Sequence, residues 1–376
     1  MNIDYVTIYD ASDVHNWSGS GYFIAKSLKD QDAEIRYVGD LQVKPNFLLN
    51  AKSLMYKLSR KSFLLERESS VARQYAQKVS PRIRPDTDII FSPGTIPIAL
   101  LESSKPKVFY ADATFAGMIG FYKDFSGLAK ETIEHGNYLE QKALETSHLA
   151  IYASDWAART AIDHYKVDPG KVKVVPFGAN IESNRDLAAI RKIVSNRSDK
   201  ECHLLFMGVD WDRKRGDFAV GVARMLNELG LKTTLHIVGI RTLPIELPDF
   251  AINHGYISKS TLAGIEKINQ LMADCHFLLL PTKAECYGLV FCEAGSFGLP
   301  SIATNVGGIP SVIENGINGQ TFSLSIPELD YASYILSIFT NKLRYEELAY
   351  SSFDRYEKKL NWKVAGKAIM NLLKDL

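Results

Sequence analysis

Short runs rich in β-branched and aromatic residues recur along the chain, each closing on a polar or glycine-bearing turn: "IDYVTIYD", "AEIRYVGD", "TDIIFSPG", "KVFYADAT", "HLAIYAS" and "KVKVVPFG". Between them lie stretches with apolar residues at helical spacing, such as "GYFIAKSLKD" and "DWAARTAIDHY". This alternation predicts a parallel sheet with helices on both faces. The series breaks near Asn180, where "IESNRDLAAIRKIVSNRSDKE" is polar and charged. A second series follows: "HLLFMG", the helical "GDFAVGVARMLNELG", then "TTLHIVG", "HFLLLP" and "SIAT". The pattern predicts an α/β protein of two Rossmann-like, doubly wound domains facing a cleft. The first spans 1–185 and the second 200–355. A C-terminal helix within 356–376, carried by the amphipathic "LNWKVAGKAIMNLLKDL", is expected to pack back on the first. Ligands of open α/β sheets sit beyond the carboxyl ends of the strands, so the loops there are where chemistry is sought.

Composition narrows the class. A chain of 376 residues exceeds one comfortable core, and 46% apolar with 23% charged residues describes a globular protein. Net charge of +1 gives no sign of a nucleic-acid partner. "MNIDYVTIYD" has no basic leader, and no apolar run reaches the roughly 20 residues of a membrane span, so the expected location is the cytoplasm. Cys202, Cys275, Cys286 and Cys292 form no CxxC pair and meet no histidine cluster, which points to buried thiols and no metal site.

Two stretches carry candidate chemistry. In "AECYGLVFCEAGSFGLP", residues 284–300, Glu285 and Glu293 stand eight positions apart with little other charge around them. The loop leaves the strand "HFLLLP", and a helix is expected from near Gly288 to Phe297, its first turn offering free N–H groups to a phosphate. Glu293 lies five residues in, about 7 Å along the axis. A sugar, a diphosphate and a ribose would meet Glu285, the helix start and Glu293 in that order. The cations such an anion needs stand after "HLLFMG": Arg213, Lys214 and Arg215 in "DRKRGD".

With the E-x7-E pair, "DRKRGD", "LHIVG", "GYISK" and "GLPSIATNVGGIPSVIENGINGQ" in order, residues 150–376 resemble the retaining glycosyltransferases of family 4, with their two-domain GT-B fold. The resemblance implies that Glu285 contacts the donor sugar near the reacting centre. The backbone of Cys286, Tyr287, Gly288, Leu289 and Val290 would hold sugar and diphosphate, and Glu293 the ribose hydroxyls. Arg213 and Lys214 would neutralise the leaving diphosphate, with no metal and no cofactor beyond the nucleotide-diphosphate sugar itself. The sequence departs from the family at Val209, where many relatives carry Arg or Ser after the strand's glycine.

The first half is similar in layout and more diverged. "DVHNWSGSGYFIAKSL" follows the first strand, and Gly19, Ser20 and Gly21 replace the double glycine that admits donor phosphate in relatives. His15 and Trp17 are candidates for the acceptor side. Asp112, ending "VFYADATF", either hydrogen-bonds the sugar, acts as general base, or caps the next helix. His164 and His236 read as surface or core residues.

The function these features imply is transfer of a sugar to an acceptor hydroxyl on a glycan, a lipid-linked glycan or a small molecule. A non-catalytic GT-B partner of another transferase and a nucleotide-sugar epimerase remain the alternatives. Residues 44–78 hold eight Lys/Arg against two Glu, with Leu54, Leu58 and Leu65 near helical spacing. Either those leucines pack on the domain's own sheet, or the segment docks peripherally on an anionic membrane.

Overall fold

The computed structural model describes residues 1–43 and 47–376. The chain divides into two units, Met1–Pro176 with Ala365–Leu376, and Phe177–Val364. In the first, β1 (Asn2–Val6), β2 (Glu34–Val38), β3 (Ile89–Ser92), β4 (Lys107–Ala111), β5 (Leu149–Tyr152) and β6 (Val172–Val174) form a parallel sheet in the order β2-β1-β3-β4-β5-β6. In the second, β7 (Cys202–Met207), β8 (Thr233–Val238), β9 (Ala251–Asn253), β10 (Phe277–Leu280), β11 (Ser301–Thr304) and β12 (Gly319–Phe322) stand in the order β12-β11-β10-β7-β8-β9, again all parallel.

The central strands β3, β4, β5, β10 and β11 are buried along their whole length, as expected where helices cover both faces. Tyr5 and Phe91 stack across β1 and β3 with ring centroids 5.7 Å apart. Every strand expected from the sequence is present. β9 and β12, which the pattern does not predict, are the two edges of the second sheet. They are short and half polar, so they lack the run of buried side chains that marks a central strand.

Two details differ from expectation. The polar stretch after Asn180 contains a helix, Leu187–Asn196, capped by Asp186 and seated on Ile190 and Val194. The basic segment is not one helix. Its first three residues, 44–46, lie outside the described residues. Phe47–Leu58 and Ser69–Val79 are separate helices, broken after Leu58 where Arg60 takes φ +56°. Leu65 sits in a short 3-10 turn and so shares no helical face with Leu54 and Leu58. Among the described residues, no helix is long and apolar enough to cross a membrane.

The strand orders fix where ligand-facing loops must lie. Progression reverses between β1 and β3 in one sheet, and between β7 and β10 in the other. At such a crossover neighbouring loops leave in opposite directions and open a crevice. The loops after β7 and β10 contain Arg213, Lys214 and Glu285; the loop after β1 contains Gly19.

Candidate active site

In the second unit, Asp210 sets the geometry after β7. Its carboxylate accepts the Arg213 N–H at 3.0 Å and caps the single helical turn Trp211–Lys214. The loop after β10 is fastened to that turn, since the Lys283 N–H and the Thr282 hydroxyl both donate to the Arg213 carbonyl, at 2.7 and 3.2 Å. Lys214 Nζ therefore meets Glu285 Oε2 in an ion pair, and Arg213 Nη1 lies 3.4 Å from the same oxygen. Arg213 also donates to the Ala284 carbonyl at 2.8 Å. Lys214 is only 7% exposed, and this burial lowers its ammonium pKa, with the Glu285 charge opposing the shift. Val209, 71% exposed, adds no polar group beside them. The Arg215 guanidinium stacks over Phe218 at 3.8 Å and donates to the Leu324 carbonyl.

Gly288, at φ +96°, makes the turn into the next helix, a conformation other residues rarely adopt. That helix is Leu289–Gly295, shorter than the expected Gly288–Phe297. Tyr287 turns its side chain into its own unit, donating from its hydroxyl to the Phe177 carbonyl at 2.8 Å. Cys286 is buried beside it, whereas Leu289 and Val290 are half-buried. All four cysteines are free and buried, and burial pushes the Cys292 thiol up to about 12. Glu293 is buried and forms an ion pair with Lys259 Nζ. Each acid of the E-x7-E pair thus holds a lysine. Lys259 was not singled out from the sequence, although "GYISK" ends on it.

In the first unit, Trp17, Ser18 and Gly19 follow β1 with φ of +47°, +54° and +84°. Two successive non-glycine residues in the left-handed region carry a cost of about 1–3 kcal/mol each, of the kind that clusters at ligand-binding loops. The helix Ser20–Lys29 begins immediately after. Gly21 lies in its first turn and leaves the space that the Tyr9 hydroxyl occupies, while Tyr5 donates to the Gly21 carbonyl at 2.9 Å. His15 is exposed, its Nδ1 2.7 Å from Asp13. Asp112, half-buried just past β4, is not a helix cap, because Thr114 fills that role by accepting the Gly117 N–H at 3.1 Å. Burial, and then the nearby Asp112 carboxylate, raise the pKa of Tyr9.

Two further clusters lie away from these loops. Among the described residues, Glu68, Glu131 and His135 have metal-ligand spacing, but the Lys52 ammonium already pairs with both carboxylates. On the second sheet, His203, His236 and His254 form a hydrogen-bonded row with 3.1 Å between successive nitrogens, beside a recess of about 380 Å³. His276 continues the row at the amino end of β10. Its Nδ1 accepts the His203 N–H at 2.9 Å and its Nε2 donates to the Ser198 carbonyl at 2.8 Å. Burial lowers His236 to about 4 and His276 to about 3.

Two doubly wound parallel sheets, each with its loops gathered at a strand crossover, define the GT-B fold class, and solved structures share it. Anabaena HepE in complex with UDP aligns over all of both chains with a TM-score of 0.67 at 15% identity. Residues 201–341 match the family model "Glycosyl transferases group 1". Among curated proteins, D-inositol 3-phosphate glycosyltransferase of Geodermatophilus obscurus is 26% identical over 60% of this chain and 51% of its own length. Lipopolysaccharide glucosyltransferase WaaG of Escherichia coli is 25% identical over 54% of this chain and 53% of its own. The match thus spans about half the length of these relatives.

Proposed function

We propose that the protein is a retaining glycosyltransferase that moves a sugar from a nucleoside diphosphate to an acceptor hydroxyl, without a metal ion. The observation that carries this reading is the pair of buried Lys214 with half-buried Glu285, Arg213 beside it, at the strand crossover of the second unit. As the bond from the anomeric carbon to the diphosphate oxygen breaks, negative charge grows on the leaving group. Fixed cations in a water-poor site stabilise that charge more than the ground state. The acceptor oxygen bonds the anomeric carbon on the same face, and its proton passes to the leaving diphosphate. No protein nucleophile is required.

In this reading Glu285 exchanges part of its contact with Lys214 for hydroxyls of the donor sugar. Backbone groups from Cys286 to Val290 line the sugar and diphosphate. Glu293 holds the ribose diol, and Lys259 holds that buried carboxylate in place. From the first unit, Gly19, Ser20 and Gly21 supply close backbone approach, and Asp112 hydrogen-bonds the sugar or assists proton removal. HepE has been solved with UDP-glucose, which supports a nucleotide sugar as the donor class here.

The test is binding and donor hydrolysis. One of UDP, GDP or ADP should raise the melting temperature in a concentration-dependent way. The matching nucleotide sugar should be hydrolysed slowly in the absence of acceptor, with EDTA leaving the rate unchanged. The product should keep the donor's anomeric configuration by NMR. No stabilisation by any of the three nucleotides would remove the donor site, and a strict Mg²⁺ requirement would remove the metal-free mechanism.

A further inference from the structure

The helix Phe47–Leu58 presents its apolar side to solvent. Phe47 is 83% exposed, Leu48 73%, Leu54 59%, Met55 56% and Leu58 79%, and Ala51 is exposed among them. At about 100° per residue these six occupy a continuous arc of about 120°, the width that a surface helix normally turns towards its core. Single exposed leucines need no explanation, but a contiguous apolar face does.

The orientation is fixed by polar contacts on the opposite side. Lys52 pairs with Glu68 at 3.1 Å and with Glu131, and the Tyr56 hydroxyl donates to Glu131 at 3.1 Å. The Tyr56 ring stacks on Phe63, and Leu49 is buried. The helix is therefore held with its apolar arc outward.

Charge selects the occupant. Residues 41–65 include no acid, and Lys57, Arg60 and Lys61 are exposed at the end of the arc. A second copy of the same face would bring cations against cations. An anionic bilayer offers acyl chains to the arc and phosphates to its rim. We propose that Phe47–Leu58 docks the protein on an anionic membrane surface, lying in the interface plane. On the transferase reading above, the acceptor hydroxyl is then carried by a membrane lipid or a lipid-linked glycan.

Sedimentation with vesicles tests the docking without donor or acceptor. The full chain should pellet with phosphatidylcholine vesicles containing phosphatidylglycerol, and remain in solution with phosphatidylcholine alone. A combined Leu54→Gln, Met55→Gln and Leu58→Gln variant, altered only at exposed positions, should bind at least about tenfold more weakly. Lys57→Glu, Arg60→Glu and Lys61→Glu should each weaken binding about fivefold at low salt. Recovery of wild-type protein in the supernatant, or wild-type binding by the triple glutamine variant, overturns the proposal. So does a dimer in sedimentation velocity that the triple variant dissociates, since a second copy would then cover the face. Donor hydrolysis separates the two readings. Vesicle binding with no hydrolysis sinks the transferase alone, whereas hydrolysis without vesicle binding sinks the docking alone. Equal use of a soluble and a vesicle-borne acceptor would overturn the acceptor assignment.

Discussion

At the carboxyl ends of β7 and β10, Lys214 and Arg213 converge on Glu285. Lys259 meets Glu293 a short way along the following helix. The corresponding loops of the first unit, after β1, β3 and β4, contain Asp10, Asp13, Asp112 and His15 but no Lys or Arg before Lys105 or Lys123. There the interacting cations lie outside those loops, Arg36 of β2 against Asp4 of β1, Lys52 against Glu68 and Glu131, and Arg67 3.7 Å from the buried Glu140. One topology builds both crevices, so topology does not decide which takes a diphosphate. On the proposed reading the cations in the loops decide it: the second unit takes the anionic donor, and the first meets a hydroxyl and, through Phe47–Leu58, a lipid surface.

The sharpest way to break this contrast is Lys214→Ala. It removes the buried cation of this loop and leaves Glu285 with Arg213 alone, so kcat/KM for the donor should fall at least about a hundredfold, equivalent to about 2.7 kcal/mol. The melting temperature should drop as well, because a partly buried pair loses one member. Full activity in this variant would make "DRKR" an ordinary surface turn.

Glu285→Gln should lower turnover at least about tenfold, or about 1.4 kcal/mol, with only a modest loss of nucleotide affinity, since its contact is to the sugar. Steady-state kinetics beside nucleotide titration distinguishes this from a general loss of binding.

Acid sharpens the contrast through stability, because the depressed imidazoles belong to the second unit. His276 titrates at about 3 in the folded chain because it is buried, and near 6.5 when unfolded. As pH falls below 6.5 the unfolded chain takes the proton first, so stability present above pH 6.5 is lost progressively towards pH 3. The loss from this group should be about 1.4 kcal/mol by pH 5.5. Urea unfolding at pH 7 and 5.5 measures it, and His276→Gln should flatten the difference. An unchanged pH slope in that variant would show that the proton goes elsewhere.

Smallest is Glu293→Ala, expected to weaken nucleoside diphosphate binding about fivefold through loss of the ribose contact, or about 1 kcal/mol, with turnover at saturating donor nearly unchanged. Equal nucleotide affinity would place the acid away from the ribose.

Much of this was readable from periodicity and spacing, and the exceptions share a physical cause. Central strands such as "HFLLLP" announce themselves because both faces are buried, whereas β9 and β12 are edges with half their surface open. The Glu285/Glu293 spacing was visible, but Lys259 was not, because its partner lies 34 residues away across the fold. Helical spacing likewise places Leu54 and Leu58 on one face without saying where that face points. Glu68 and Glu131, 16 and 79 residues from Lys52, decide it. The left-handed Trp17 and Ser18 have no local signal, since neither is a residue that favours that conformation.

Gly208 extends the reach of the cation site to a residue with no chemistry of its own. A methyl group on its Cα would lie 3.0 Å from Lys214 Cγ, closer than side chains ordinarily approach. The lysine stem would have to give by a few tenths of an ångström, shifting the ammonium at its end relative to Glu285 while the chain's charge and acid–base groups stayed intact. Gly208→Ala is thus a steric dimmer for an electrostatic device: a substitution that charge-based comparison of variants would pass over as silent can detune the site by displacement alone.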